Sequence, residues 1–345
     1  MISGHEAKKV LEQRIPMLMN NVKVLSSSSS LLITKSANEW INEAKSKPIP
    51  NMLFGQLWFE GEVCILYASS NVGKSILAVQ IADSISSGRS VFPLKMESQP
   101  QSVLYFDFEL SAKQFENRYS NNYTDHHFFD ERFYRVEIDH EAEMPQSSDF
   151  NKVINDSIEA EIRRTGSKVL IVDNITYLKN ETEKSKDAIP LMKHLKKLKS
   201  KYGLSILALA HSPKRDQSRP INRNDLGGSA MLMNFCDSSF AIGESNRDKS
   251  YRYVKQIKSR NCDHIYGSDN VLVYEVQKPS NFVHFHFVDN SDEYNHLVTQ
   301  TYQEKEERNQ RIFDLKKEEW TNVKIAKEVG LSEGAVRKIL KKSND

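Results

Sequence analysis

Short apolar runs alternate with segments of helical periodicity between residue 51 and about residue 300. Each run is long enough for a buried strand, and the segments between the runs repeat apolar residues at the spacing of one helix face. This alternation predicts an α/β fold with a mostly parallel sheet covered by helices on both faces. The predicted parallel strands are 63–67, 103–109, 133–138, 169–174 and 206–210.

The last part of this region and the C-terminus follow other patterns. Residues 251–259, 271–277 and 282–288 alternate or run apolar as antiparallel strands do. Residues 310–342 contain three short amphipathic stretches separated by turn and cap residues, which predicts a three-helix unit. The predicted domains are an N-terminal arm at 1–50, a core domain at 51–300, and a linker with a helical module at 301–345.

The two regions that flank the predicted core are polar. A serine run at 26–30 is typical of a flexible tether, and a short amphipathic stretch at 37–44 follows it. Two prolines, Pro48 and Pro50, then separate the arm from the core. At the other end, the charged residues 303–309 are interpreted as a joint.

Composition narrows the function classes without choosing one. The 345 residues include 48 Lys and Arg against 46 Asp and Glu, so any surface for nucleic acid must be local. The three cysteines are far apart and make neither a metal nor a redox spacing, which favours reduced thiols in a reducing compartment. Because no apolar run approaches membrane-spanning length and the N-terminus lacks a secretory apolar region, we expect a cytoplasmic protein without a membrane partner.

Residues 68–75, Ala-Ser-Ser-Asn-Val-Gly-Lys-Ser, stand between a predicted strand and a predicted helix. In this context Gly-Lys-Ser indicates a phosphate-binding loop, whose backbone N–H groups and helix N-terminus hold a di- or triphosphate. Lys74 would reach the β- and γ-phosphates, and the Ser75 hydroxyl would bind Mg²⁺. Ala68 stands where a glycine is usual, so we expect an altered loop entry and an intact site. The predicted nucleotide contacts are Ser69, Ser70, Asn71, Val72, Gly73, Lys74, Ser75 and Ile76.

Asp173 ends the apolar strand that begins at residue 169. A phosphate-loop protein needs an acid at such a place, because a carboxylate there orients Mg²⁺ through a bound water. An acid at a strand end is common by itself, and it gains weight only beside the phosphate loop. The sequence therefore predicts a magnesium site formed by Ser75 and Asp173.

Two basic regions are candidate contacts to DNA. The polar segment 212–225 follows a predicted strand, and a long basic loop on a rigid sheet is a typical place for phosphate contacts. In the C-terminal module, Gly330 supplies a turn and Ser332 caps the third helix, which is the spacing of a helix-turn-helix. A small capping bundle with solvated lysines is the alternative. The candidate residues are Lys214, Arg215, Arg219 and Arg223 in the loop, and Arg337, Lys338 and Lys341 in the third helix.

Taken together, these residues resemble the RecA-fold hexameric ATPases, nearest the RepA-type replicative helicases of plasmids and mobile elements and more distantly the DnaB helicases. The likeness covers about residues 48–290 and rests on motifs in a fixed order. Besides the phosphate loop and Asp173, these are Tyr105-Phe106-Asp107-Phe108-Glu109, His211, the Gly-Ser segment 225–230 and Lys258-Ser259-Arg260-Asn261. The resemblance implies a RecA-like P-loop NTPase core that binds ATP and Mg²⁺ and forms a homo-oligomer, most simply a hexamer.

The resemblance also implies a role for each of five residues. Glu109 is the general base on the attacking water, and His211 is a polar sensor of the γ-phosphate. Lys258 and Arg260 form a finger that one subunit delivers into the next subunit's site. Arg118 stacks on the adenine. The alternatives are a plain strand-end acid at Glu109, a core histidine at His211, and exposed edge-strand charges at the finger.

Three functions remain open at this point. The first is a ring-forming, helicase-like ATPase that translocates on single-stranded DNA. The second is a sequence-specific DNA-binding regulator, recruitment protein or loader in which nucleotide only switches assembly. The third is a nucleotide-dependent protein without a DNA function. The first two functions differ in the residues that recognise DNA. The motor would use the loop 212–225, and the nucleotide-switched regulator would use residues 310–342.

Overall fold

A computed structural model describes residues 32–139, 141–142, 150–175, 188–226, 229–298 and 302–342. The serine run at 26–30 and the glycine pair of the Gly-Ser segment lie outside the described residues. The strands are β1 (Met52–Phe54), β2 (Trp58–Phe59), β3 (Val63–Ala68), β4 (Val103–Asp107), β5 (Ser120–Asn121), β6 (Asp125–His126), β7 (Phe133–Val136), β8 (Val169–Asp173), β9 (Ser205–His211), β10 (Ser238–Glu244), β11 (Tyr251–Lys258), β12 (Val271–Gln277) and β13 (His284–Ser291). The α-helices are α1 (Ala37–Lys45), α2 (Lys74–Ser87), α3 (Ala112–Arg118), α4 (Phe150–Thr165), α5 (Ala188–Tyr202), α6 (Ser229–Phe235), α7 (Tyr302–Lys317), α8 (Asn322–Glu328) and α9 (Glu333–Lys342).

One large sheet of nine strands organises the core, in the order β13-β12-β11-β10-β3-β9-β8-β4-β7. The six strands from β10 to β7 run parallel to one another, whereas β11, β12 and β13 continue the sheet antiparallel. Strand β3 therefore lies between β10 and β9, inside the sheet. The carboxyl ends of β3, β9, β8 and β4 meet at one edge of the sheet.

Helices cover both faces of this sheet, as the apolar periodicity predicts. The helix α2 packs on one face, where its buried residues join those of alternate strand positions in one apolar cluster. The helices α4 and α5 pack on the other face through buried residues such as Ile158, Leu195 and Leu198. Burial of the apolar side chains on each face stabilises the fold by on the order of 25 cal/mol per Å² of apolar surface removed from water. The predicted α/β fold with a mostly parallel, doubly covered sheet is confirmed.

Several element boundaries differ from the prediction. Strand β10 and the short strands β1, β2, β5 and β6 were not predicted; β10 begins with two serines and ends in glycine and glutamate, which hides its apolar centre. Strand β11 ends at Lys258, so Arg260 lies in the bend that follows it. The supposed joint at 303–309 is part of α7, because its Glu, Lys, Gln and Arg residues favour a helix without an apolar stripe.

The first described segment and the last are helical. The helix α1 begins with a capping box between Ser36 and Glu39 and belongs to a unit that ends at Ile49. At the C-terminus α7, α8 and α9 enclose a small apolar core of their own, formed by Ile312, Leu315, Ile325, Ala326 and Val336. In the part of the chain that the structure describes, no helix has the length and apolar character to cross a membrane.

Candidate active site

The loop between β3 and α2 has the backbone of a phosphate cradle. Gly73 precedes the helix with φ +107°, and Asn71 has φ +63°, so two residues of the loop have left-handed backbone. Backbone of this kind lets neighbouring N–H groups form a concave site for an anion. A Cβ on Gly73 would lie 3.0 Å from the ring of Phe285, which explains the glycine on steric grounds as well. Ala68 ends β3 in ordinary strand backbone, as expected for the residue that replaces the usual glycine.

Lys74 is the buried cation of the loop. Its Nζ donates to the carbonyl oxygens of Ala68 and Ser69, at 3.2 and 3.0 Å, and lies 3.1 Å from Nδ1 of His211. Burial lowers the pKa of Lys74, while the carboxylates of Asp173 and Glu109 act in the opposite direction. The ammonium thus lies within electrostatic range of two acids, and it would be the charge partner of a phosphate bound at the loop.

Asp173 lies beside the helix N-terminus at the end of β8. Tyr105 donates its hydroxyl hydrogen to Oδ2 at 2.6 Å. The Ser75 hydroxyl is close enough to lower the pKa of Asp173, although Oδ1 is buried and accepts no hydrogen bond in the described part of the chain. Burial outweighs both hydroxyls and raises the pKa of Asp173 to about 6. A buried carboxylate with one free oxygen beside a serine hydroxyl suits a hard cation.

Glu109, Asn174 and His211 meet at the carboxyl ends of β4, β8 and β9. Asn174 Nδ2 donates to Oε1 of Glu109, and His211 Nε2 lies 3.3 Å from the same oxygen. The Lys74 ammonium can only donate, so Nδ1 of His211 accepts from it, while Nε2 lies 2.9 Å from Asn174 Nδ2 as well as 3.3 Å from Glu109 Oε1. The contact with His211 is the main reason why the pKa of Glu109 is lowered.

This arrangement can bind and hydrolyse a phosphoanhydride. The loop offers N–H groups and one ammonium, Asp173 and Ser75 offer oxygen ligands, and Glu109 offers an ionised base within the same cleft. These residues lie together, as expected from the sequence, because the parallel strands β3, β4, β8 and β9 end at one edge of the sheet. Asp107 pairs with Asp173 and Ala68 with His211 in the register of the sheet.

Four further residues support the site and were missed as functional residues. Asn174 follows Asp173 directly, and that adjacency is the one signal the sequence offered. Arg252 of β11 donates from Nε to the carbonyl oxygen of Val72 at 3.0 Å, and Phe285 packs on Gly73. Arg135 of β7 donates from Nε to Oδ2 of Asp107 at 2.8 Å. Arg252, Phe285 and Arg135 come from strands with no local motif, so no spacing in the sequence identifies them.

Arg118 and the two residues of the predicted finger have different surroundings, and the charge of Arg118 is one of those that lower the pKa of Glu109. Arg118 ends α3, and its Nη1 is buried without a hydrogen-bond partner among the described residues. Lys258 donates to the carbonyl oxygens of Met233 and Cys236, at 2.6 and 2.7 Å, behind α6. Arg260 forms a 3.0 Å ion pair with Asp237 and keeps 55% of its side chain exposed.

The predicted DNA loop contains two kinds of cation. Arg215 donates to the carbonyl oxygen of Arg219 at 2.8 Å and to the Tyr253 hydroxyl at 3.2 Å, and Arg219 lies 3.5 Å from Asp225. These arginines therefore hold the loop to its own chain. Lys214 and Arg223 are exposed, and within the described ranges neither side chain has a hydrogen-bond or ionic partner.

The three cations predicted in the last helix are exposed on α9. Arg337 forms an ion pair with Glu333 one turn earlier, at 2.7 Å, and Lys338 and Lys341 have no ionic partner among the residues described. The turn between α8 and α9 contains Gly330 with φ +68°, and Thr321 caps the start of α8. The helix lengths and the glycine turn agree with the three-helix prediction.

The sequence comparisons identify the family but no individual relative. No curated protein matches the chain significantly. A model of the AAA domain family matches residues 32–217, more than half of the 345 residues, and this segment contains the phosphate loop, Glu109, Asp173 and His211. The match ends in the basic loop, before β10. By this match and by the geometry of its phosphate-binding site, the chain belongs to the AAA domain family of P-loop, nucleotide-dependent ATPases.

Proposed function

We propose that this ATPase is a Mg²⁺-dependent, helicase-like motor of the RepA type that assembles into a ring and acts on single-stranded DNA in a plasmid or mobile element. The observation that carries the proposal is the separation, on one chain, of the phosphate-binding site from the residues of the predicted finger. The phosphate loop and Glu109 lie at the carboxyl ends of the parallel strands. Lys258 and Arg260 lie at the opposite end of the sheet.

The register of the strands gives this separation. Lys258 pairs with Ser239 at the start of β10, and Ser238 pairs with Cys64 near the start of β3. The phosphate loop begins after the other end of β3, which has six residues. At about 3.3 Å per residue, β3 is about 20 Å long. A cation at Arg260 is thus too far from its own phosphate loop, and an identical neighbour packed head to tail would bring it to the next one.

Magnesium fits the residues present. The buried Oδ1 of Asp173, which accepts no hydrogen bond among the described residues, and the Ser75 hydroxyl are oxygen ligands of the kind that Mg²⁺ prefers. The bound ion would neutralise charge on the β- and γ-phosphates. Glu109 would accept the proton of the attacking water, while His211 and Asn174 hold its carboxylate in place.

Binding of the triphosphate should depend on Lys74. In Lys74→Ala the loop loses its only buried cation, so we expect ATP affinity to fall at least about tenfold, the size of one charge-assisted contact. Isothermal titration with ATP and with ADP measures this. Lys95→Ala, which removes an exposed lysine outside the site, is the control. Unchanged affinity in Lys74→Ala would contradict the assignment of the phosphate loop.

The proposal of a DNA motor rests on the loop that starts at His211. Lys214 and Arg223 are exposed cations without a partner among the described residues, whereas Arg215 ties the loop to Tyr253 of β11 and Arg219 pairs with Asp225 inside the loop. We therefore expect Lys214→Ala with Arg223→Ala to weaken single-strand binding and to lower the slope of log affinity against log salt by about 1.4, or about 0.7 per phosphate contact. Lys193→Ala with Lys197→Ala, on the exposed side of α5, is the control. An unchanged slope would exclude this loop as the DNA contact.

One experiment tests the function as a whole. ATP hydrolysis is measured without DNA, with single strands and with duplex, and particle mass is measured with and without ATP. We expect single strands to stimulate hydrolysis and the mass to correspond to a ring of several subunits. Hydrolysis that no DNA stimulates, by a chain that stays monomeric, would refute the motor.

The second candidate is an ATP-switched regulator or loader that recognises duplex DNA. The exposed cations of α9, in a three-helix unit with its own core, favour it. In that case duplex of one sequence binds best, and Lys338→Ala with Lys341→Ala removes that preference while hydrolysis persists.

A further inference from the structure

The loop that carries Glu109 is held by an ion pair that the proposed mechanism does not use. We infer that Arg135 is a positioning residue for Glu109: through Asp107 and the Leu110 carbonyl it fixes the loop 108–110 so that the Glu109 carboxylate faces the γ-phosphate. The inference rests on the proposed role of Glu109 as the general base. Arg135 itself does not touch the reacting atoms.

Asp107 provides the first part of this support. Its Oδ1 accepts hydrogen bonds from the backbone N–H groups of Glu109, at 3.2 Å, and Leu110, at 3.0 Å. The turn that carries the base is therefore closed on the carboxylate at the end of β4. The side chain of Asp107 has no exposed surface, so its charge needs a partner within the protein.

Arg135 is that partner. Its Nε donates to Oδ2 of Asp107 at 2.8 Å, and its Nη2 donates to the carbonyl oxygen of Leu110 at 2.6 Å. Nη1 pairs with the exposed Glu137. One guanidinium thus joins the strand end at Asp107 to the far side of the loop at Leu110, with the backbone of Glu109 between them.

The geometry requires an arginine at this position. Arg135 pairs with Tyr105 in the register of β4 and β7, and its guanidinium lies 4.7 Å from the centre of the Phe115 ring in α3. A planar group with donors in a fixed fork can stack on the ring and make both contacts at once. A lysine at the same place keeps the charge beside Asp107, but its single nitrogen has neither the fixed fork of donors nor the planar face that stacks on the Phe115 ring.

The same contacts remove Asp107 as an alternative base. Oδ1 accepts from two backbone N–H groups, Oδ2 accepts from Arg135, and the side chain has no exposed surface at which a water could reach it. The β8 side of the loop is pinned separately, since Phe108 donates its N–H to the Asp173 carbonyl oxygen at 2.9 Å. Loss of the Arg135 contacts would release the Leu110 carbonyl and the Asp107 carboxylate that holds the N–H groups of Glu109 and Leu110, while the start of the loop stays in place, which would tilt Glu109.

Arg135→Lys tests the inference. A displacement of about 1 Å in a catalytic group can cost about 10²-fold in rate. We expect kcat to fall at least about fivefold while ADP and ATP affinities stay within about twofold, because the phosphate loop is untouched. Arg132→Lys, an exposed arginine paired with Asp130 just before β7, is the matched control. A smaller loss of kcat, or a loss no larger than that of Arg132→Lys, would overturn the inference.

A double-mutant cycle separates positioning from general damage. In a Glu109→Gln background there is no base to position, so Arg135→Lys should leave the residual single-turnover rate nearly unchanged. The same fold loss in both backgrounds would mean that Arg135 acts on the fold and would overturn the inference. If Glu109→Gln alone hydrolyses ATP normally, the proposed function of Glu109 as the base is wrong, whereas the contacts of Arg135 stand. Asp107→Asn, which keeps the shape of the turn, serves as the second variant if Arg135→Lys fails to fold, and the same two outcomes apply to it.

Discussion

Glu109→Gln should bind ATP as the wild type does and hydrolyse it about 10²- to 10⁴-fold more slowly, the contribution of a positioned general base. The amide keeps the shape of the side chain and can still hold a water, but it does not accept the proton. In the structure the Glu109 side chain is partly exposed, and its contact with His211 lowers its pKa. Single-turnover hydrolysis together with fluorescent-nucleotide binding gives rate and affinity separately.

The control for this substitution is Glu275→Gln, which makes the same chemical change on β12, away from the phosphate loop. It should leave both rate and affinity unchanged. Hydrolysis by Glu109→Gln within about threefold of the wild-type rate would mean that the base is another group. Asp107 would not be that group, because both of its oxygens are engaged in the loop contacts.

Arg260→Ala should retain nucleotide and lose at least about a hundredfold in hydrolysis, the scale of a lost transition-state cation. Among the described residues the Arg260 side chain has one ion pair, with Asp237, and because that side chain is 55% exposed we expect the pair to contribute about 0–1 kcal/mol to stability. The substitution should therefore leave folding intact. Arg132→Ala, another arginine in a single exposed ion pair, is the control.

Mixing subunits tests whether the finger acts on a neighbour. Arg260→Ala subunits have an intact phosphate loop, and Lys74→Ala subunits have an intact finger. In a mixed ring, each interface of one orientation joins the two intact halves, so some hydrolysis should return although neither variant is active alone. Mixed assemblies that form by mass measurement and yet never recover activity would refute an in-trans site.

The sequence predicted the part of the site that depends on local pattern. The strand, loop and helix around Lys74 could be predicted from a local stretch of about twenty residues. The meeting of Glu109, Asp173 and His211 follows from a rule of parallel sheets, because their strands all end at the same edge. Both kinds of inference need only periodicity and the order of the motifs along the chain.

The supporting contacts could not be predicted in this way. Arg135 lies 28 residues from Asp107 in sequence, and Arg252 lies 180 residues from Val72. Their pairing depends on the order of strands in the sheet, which periodicity does not specify. The predicted strand at 251–259 ends at Lys258 in the structure, and Arg260 of the predicted finger lies in the bend that follows.

The segment matched by the family model ends before β10, one of the two strands that pair with β3. A fragment that stops at residue 217 contains β9 on one side of β3 but lacks β10 on the other. The backbone groups of Cys64, Ile65, Leu66 and Tyr67 would then face solvent along an apolar edge, which is a template for aggregation. The fragment would also lose Phe285 from Gly73 and Arg252 from Val72. The family match is thus shorter than the unit that folds, and the phosphate loop depends on the antiparallel strands beyond the match for its shape.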